Sequence, residues 1–172
     1  LDVEGRPLEE TQNIYVQAFC IYALCELYLA TGETAPLQEA QAVFDLIELY
    51  AHDDSHGGYI ETLSRNWLPA GDLRLSDKDM AAPKSMNNHL HVLEAYTNLY
   101  RVWPDRRVAA RLGELIDLFD RHILGDDDGR CHLHHFFDED WTVCSETYSY
   151  GHDIEAAWLL SEAAEVLGDT QR

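Results

Sequence analysis

The chain has 172 residues, 46% of them apolar, which is enough for one domain with a sizeable core and too apolar for a disordered segment. Against 32 acidic side chains stand 12 Lys and Arg, a formal charge of -20, which argues against nucleic acid or an anionic membrane as partner. No apolar run is expected to reach the roughly 20 residues of a membrane span, and no basic segment followed by an apolar stretch marks a secretory leader.

The elements follow in chain order. Residues 3–7 read as the end of a small hairpin. A nearly all-apolar helix is expected over 14–30, closed by the turn at Thr31, Gly32 and Glu33. It carries Cys20 and Cys25, expected to be buried thiols. With Cys131 and Cys144 they match no zinc-ribbon spacing, which fits a reducing cytoplasm. An amphipathic helix follows over 37–51, with Val43, Leu46, Ile47 and Tyr50 apolar. Gly57 and Gly58 open a loop ending near Trp67 that reads as a short hairpin over 58–68.

A second apolar helix is expected over 85–102, opened by the polar run Lys84, Ser85, Met86, Asn87, Asn88, His89, Leu90, His91. His89 and His91 are two residues apart and face different sides, so they do not chelate together; His91 is preferred for a pocket. A charged outer helix over 107–124 carries Leu112, Leu115, Ile116, Phe119 and Ile123. A hairpin over 130–143 holds Cys131, His132, His134 and His135. The cluster invites a zinc reading, but a polar hairpin at the mouth of a pocket is preferred, and no metal is assigned. Tyr22, Tyr28, Tyr96 and Trp158 are expected in the core.

The third apolar helix, 150–167, opens with Ser149, Tyr150, Gly151, His152, Asp153, Ile154, Glu155. His152 and Glu155 are three apart and share a helix face, which reads as a proton-transfer pair. The three apolar helices recur about 70 residues apart, each followed by a turn, an amphipathic helix and a long loop. The unit is an inner helix, an outer helix and a small hairpin. Such units close into (α/α)6 toroids at roughly twice this length. The expected fold is therefore all-α: a single domain over 1–172, the central segment of an (α/α)6 barrel, with self-association through its open edges.

Several motifs carry a family resemblance: Tyr15 to Phe19, Gly57 to Tyr59, Arg74 to Asp79, Lys84 to Thr97, and Ser149 to Glu155. In this order and together they resemble the N-acylglucosamine 2-epimerase family, closest to its cellobiose 2-epimerase branch. The resemblance implies a barrel with its active site at the mouth and inversion at C2 of a reducing-end sugar, without a redox cofactor. It implies that His152 is an acid/base histidine supported by Glu155. It makes His91 the histidine for ring opening or enediolate stabilisation, with Asn87 beside it, and gives Asp79 and Tyr15 to sugar hydroxyls. The family's second catalytic histidine and a substrate-binding arginine lie in regions with no counterpart here. Asn88 stands where the resemblance leads one to expect Thr.

The residues support this chemistry independently. Epimerisation next to a carbonyl needs two opposed bases of near-neutral pKa, which suits histidine. Asn87 can donate to a developing enediolate oxygen, and Tyr15, Tyr59, Trp67 and Tyr150 can serve as aromatic platforms for a sugar. Glu61 is either sugar-facing or exposed. The expected ligand is a mono- or disaccharide, with no cofactor. Three alternatives stay open: an aldose–ketose isomerase through the same enediolate, a glycoside hydrolase using Asp79 and Glu155, and a non-catalytic helical-repeat binding module.

Overall fold

The computed structural model describes residues 2–6, 11–71, 80–127 and 129–168. Five α-helices carry the architecture: α1 (Ile14–Thr31), α2 (Thr34–Tyr50), α3 (Met86–Val102), α4 (Arg106–Leu118) and α5 (Tyr150–Leu167). The long loops hold six short strands: β1 (Thr11–Asn13), β2 (Thr62–Ser64), β3 (Lys84–Ser85), β4 (Leu124–Asp127), β5 (Arg130–Leu133) and β6 (Phe136–Phe137).

Helix boundaries follow local chemistry. Ser85 Oγ accepts the Asn88 N–H at 3.1 Å and starts α3, and Asp105 Oδ1 accepts the Arg107 N–H at 2.8 Å and starts α4. Ser149 does the same for α5 through the His152 N–H. Gly32 and Gly168 sit in the left-handed region and close α1 and α5. The expected helix over 107–124 stops earlier: α4 ends at Leu118, a five-residue π turn follows over Phe119–Ile123, and Leu124 already begins β4.

Helices α1, α3 and α5 lie side by side as the inner layer, with α3 in the middle. Outside them, α2 packs on α1, and α4 packs on α3 and α5. One apolar cluster runs through the described residues, from Ile14 and Ile21 through Phe44, Leu90, Leu93 and Tyr96 to Leu112, Leu115 and Leu159. Each such Leu or Phe, fully withdrawn from water, contributes roughly 1.5–3 kcal/mol.

Inner-layer position decides burial. Helix α3 is covered on nearly all sides, and even Asn88, His89 and Asn98 are buried. Helix α1 buries the single stripe Ile14, Ala18, Ile21, Cys25 and exposes Val16, Phe19, Leu27 and Leu29. Two burial expectations are corrected here, for Cys20 and for Trp158. Cys20 is exposed, because only Cys25 falls on the buried stripe. By length and composition α1 is apolar enough to cross a membrane, but it packs as an inner helix against α2 and α3. Trp158, expected in the core, is 53% exposed on α5, whereas Tyr96 is fully buried.

The strands also depart from expectation. Among the described strands only β4 and β5 pair as a local hairpin, and it starts at Leu124. The loop expected as a hairpin over 58–68 sends β2 back to β1, pairing Gln12 with Leu63. In the loop over 130–143, β6 pairs with β3, Lys84 opposite Phe137 and Ser85 opposite Phe136. What remains of the two local hairpins is the isolated bridges Leu63 to Pro69 and Phe137 to Val143. All described pairings are antiparallel.

These loops are clamped from within. The ammonium of Lys84, fully buried, bonds Asp53 Oδ2 at 2.7 Å, the Gly57 carbonyl at 2.8 Å and the Glu139 carbonyl at 2.6 Å, over the face of Trp141. Burial works against the Asp53 carboxylate, but Lys84 together with the Ser55 and His56 N–H groups holds the pKa down to about 2. Gly58, at φ +77, lies under His89 and Trp141; a Cβ there would sit 2.5 Å from His89 Nε2.

Candidate active site

The first turn of α3 meets the first turn of α5 across a cavity of about 130 Å³. Its wall is formed by Glu61, Ser85, Met86, Asn87, His135, Phe136 and His152. The strand pairing builds this wall. Pairing of β3 with β6, and the Met86 N–H donating to the His135 carbonyl at 2.9 Å, carry His135 to the start of α3. Asp153 accepts the Leu133 N–H at 3.0 Å, which ties the first turn of α5 to β5. Glu61 is fixed through its backbone, donating to the Pro83 carbonyl and accepting from the Ile14 N–H.

His152 is half-buried in this wall, and its Nδ1 lies 2.8 Å from Ser149 Oγ. The residue that caps α5 thus also orients the imidazole. His135 stands edge-on to it, ring centroids 5.7 Å apart. Burial first, then the neighbouring His152, push the His135 pKa below the ordinary histidine value.

The other expected residues lie elsewhere along the same helices. Asn87 lines the cavity, whereas His91, one turn deeper on α3, is not part of its wall. His91 Nδ1 pairs with Glu94 Oε2 at 2.8 Å, and its ring packs on Tyr15 at 4.8 Å and Phe19 at 5.0 Å. Burial, then the carboxylates of Glu155 and Glu94, raise the pKa of Tyr15, so Glu155 bears on Tyr15 one turn below His152. The pairing read from the sequence, Glu155 with His152, is replaced by Ser149 with His152. The polar side chains therefore form two steps: Asn87 and His152 with the cavity, then His91, Tyr15 and Glu155 a turn further along. Trp67 stacks on Tyr50 of α2 at 5.3 Å and does not line the cavity; it holds a left-handed backbone at φ +61. Asp79 lies outside the described residues.

The two histidines of α3 have separate work. His89 is fully buried, its Nδ1–H donating to the Ser85 carbonyl at 2.7 Å and its Nε2 accepting the Tyr59 N–H at 2.9 Å. Burial drops its pKa to about 4, and the neutral ring serves as a strut. The histidines of the 130–143 loop diverge. His132 meets His134 edge-on at 5.3 Å and Tyr148 at 4.1 Å, while His135 turns to His152. Among the described residues no three His, Cys, Asp or Glu side chains are placed to share a metal ion.

Two cavity residues were not singled out from the sequence. His135 read as part of a polar hairpin at the mouth of a pocket, with no role of its own, because a two-residue pairing some fifty positions away leaves no local pattern. Glu61 was left between two readings; it is 4% exposed and lines the cavity. Asn88 is fully buried beneath the same turn, and neither side-chain amide atom has a hydrogen-bond partner.

The family model for N-acylglucosamine 2-epimerase (GlcNAc 2-epimerase) matches residues 1–172. The chain belongs to this family. A cellobiose 2-epimerase of Bacteroides fragilis is 49% identical over 169 residues, which is 98% of this chain and 43% of that protein. The solved cellobiose 2-epimerase of Bacillus thermoamylovorans is 39% identical, with a TM-score of 0.92 over 100% of this chain and 44% of its own. That of Spirochaeta thermophila gives 39% and 0.88, over 98% and 41%. The chain thus spans less than half the length of these relatives, and its helical layers are part of an (α/α)6 barrel.

Proposed function

We propose that the full-length protein carrying this chain is a sugar 2-epimerase, acting at C2 of a reducing-end aldose and accepting a β-1,4-linked disaccharide such as cellobiose. The observation that carries this reading is His152: it stands in the cavity wall with Nδ1 held by Ser149, in a chain of this family. With Nδ1–H donating to Ser149 Oγ, Nε2 keeps its lone pair for a proton. His152 removes the C2 proton of the open-chain sugar, which leaves an enediolate. Asn87 donates to the developing oxygen. His91, backed by Glu94, serves ring opening and the enediolate from the next turn, and Tyr15 holds a sugar hydroxyl with Glu155 beneath it. The proton returned to the opposite face of C2 comes from a second base outside these 172 residues. This chain alone therefore gives no epimerase turnover.

The test is exchange of the C2 proton. Full-length protein is incubated with cellobiose or mannose in deuterium oxide and followed by proton NMR. The wild type should epimerise with loss of the C2 signal, and His152→Ala should lower exchange at least a thousandfold. Undiminished exchange in His152→Ala would remove that histidine from the mechanism. A ketose as the main product would assign the isomerase reading.

A further inference from the structure

We propose that His135 is a further substrate-contacting residue of this cavity, its Nε2 exchanging a hydrogen bond with a hydroxyl of the sugar bound beside His152. The inference rests on the saccharide reading above and adds a residue to it. Four observations carry it. His135 lines the cavity between Asn87 and His152. Its Nε2 is buried and has no hydrogen-bond partner, a condition native structures rarely leave standing at a polar nitrogen. Its backbone is fixed beside the start of α3: the His135 carbonyl accepts the Met86 N–H at 2.9 Å, and the adjoining Phe136 carbonyl accepts the Cys144 N–H at 2.8 Å. Finally, His89, the other histidine at the start of α3, has both nitrogens bonded within the protein. Of these two, the histidine that lines the cavity is the one whose Nε2 stays open.

The surroundings point to the ligand's chemistry. His152, Asp153, His132 and His134 face His135, and burial together with His152 favours its neutral form. A neutral imidazole offers one donor and one acceptor, which matches a hydroxyl. With the Glu61 carboxylate in the same wall, an anionic ligand would be opposed. A neutral polyol meets every group present.

The experiment uses the full-length protein with ¹⁵N-labelled histidine and cellobiitol, a reduced disaccharide that cannot be enolised. The His135 Nε2 resonance should shift on saturation, as a new hydrogen bond forms. In turnover of cellobiose, His135→Ala should raise KM about tenfold with a smaller change in kcat, and His135→Gln should recover part of the loss. A His135 resonance that stays fixed while that of His152 moves would overturn the proposal. So would an unchanged KM in both folded variants. If His135→Ala fails to fold, the wild-type titration still decides. If the wild type binds cellobiitol through His135 but exchanges no C2 proton, the epimerase reading falls and the His135 contact stands.

Discussion

Two polar clusters are enclosed by these helices, and they are finished to different degrees. In the first, Glu48 of α2 accepts from Tyr59 Oη at 2.7 Å and Tyr96 Oη at 2.8 Å and pairs with Arg111 of α4 at 2.5 Å. Arg111 also holds Glu114 at 2.7 Å, and Glu114 takes His52 Nε2 at 2.9 Å and the Gly58 N–H at 3.2 Å. His52 ends the chain on Asp54. Burial opposes the Glu114 charge, yet His52, Arg111 and Gly58 together hold its pKa down to about 2. The second cluster, Glu61, Asn87, His135 and His152, surrounds a cavity and leaves His135 Nε2 without a partner. A polar cluster closed on itself fixes the fold. One left open keeps its hydrogen bonds for a ligand. The comparison separates residues by consequence: the first set should govern stability and the second chemistry.

The largest expected effect on stability comes from breaking the closed cluster. Glu48→Ala leaves two buried tyrosine hydroxyls and the Arg111 guanidinium short of a partner. It should cost about 3–5 kcal/mol in the full-length protein, read as a lower urea midpoint, while the surviving folded enzyme keeps its KM.

Acid should act next, through His89. Its folded pKa of about 4 lies below the unfolded value near 6.5, so below pH 6.5 the unfolded chain takes up a proton the folded one refuses. Stability should fall by about 3 kcal/mol as pH drops from 6.5 to 4, and then level off for this group. Glu114 adds its own loss only below about pH 4.5, its ordinary value, and His52, held more basic by Glu114, loses its contribution in the alkaline direction instead. Urea titrations across pH 4–7 on wild type and His89→Gln should show the slope in the first and a flattened one in the second.

Asn88→Thr should be a gain. It removes two buried amide atoms without partners and places a hydroxyl that can bond the carbonyl one turn back, for about 1 kcal/mol and a rise of a few degrees in Tm. The smallest effect belongs to the half-exposed pair Arg101 and Glu162, 2.6 Å apart. Arg101→Ala should cost below about 1 kcal/mol, and less in high salt.

The helices were legible in the sequence because their signals are local. The apolar runs, the caps at Ser85 and Ser149 and the turn glycines each act within a few residues. The equal apolarity of α1, α3 and α5 concealed their difference, since burial depends on how many neighbours a helix has. For the same reason Cys20 and Trp158 were misplaced. The loop pairings were not legible: β3 and β6 are two residues each, held by partners some fifty positions apart. They bring His135 to His152. In the site, the helical spacing put Asn87, His91, His152 and Glu155 along two helices. It could not show that Ser149 rather than Glu155 holds the His152 ring, because a cap is defined by where the backbone turns.

The claim that the closed cluster carries stability and the open one chemistry is tested most directly by the rate of C2 proton exchange, normalised to folded protein, in full-length Glu114→Gln and His152→Gln. Glu114→Gln should exchange at a rate within about threefold of wild type although its Tm is several degrees lower, and His152→Gln should melt like wild type with exchange reduced at least a thousandfold. Loss of exchange in folded Glu114→Gln, or its retention in His152→Gln, would contradict the account.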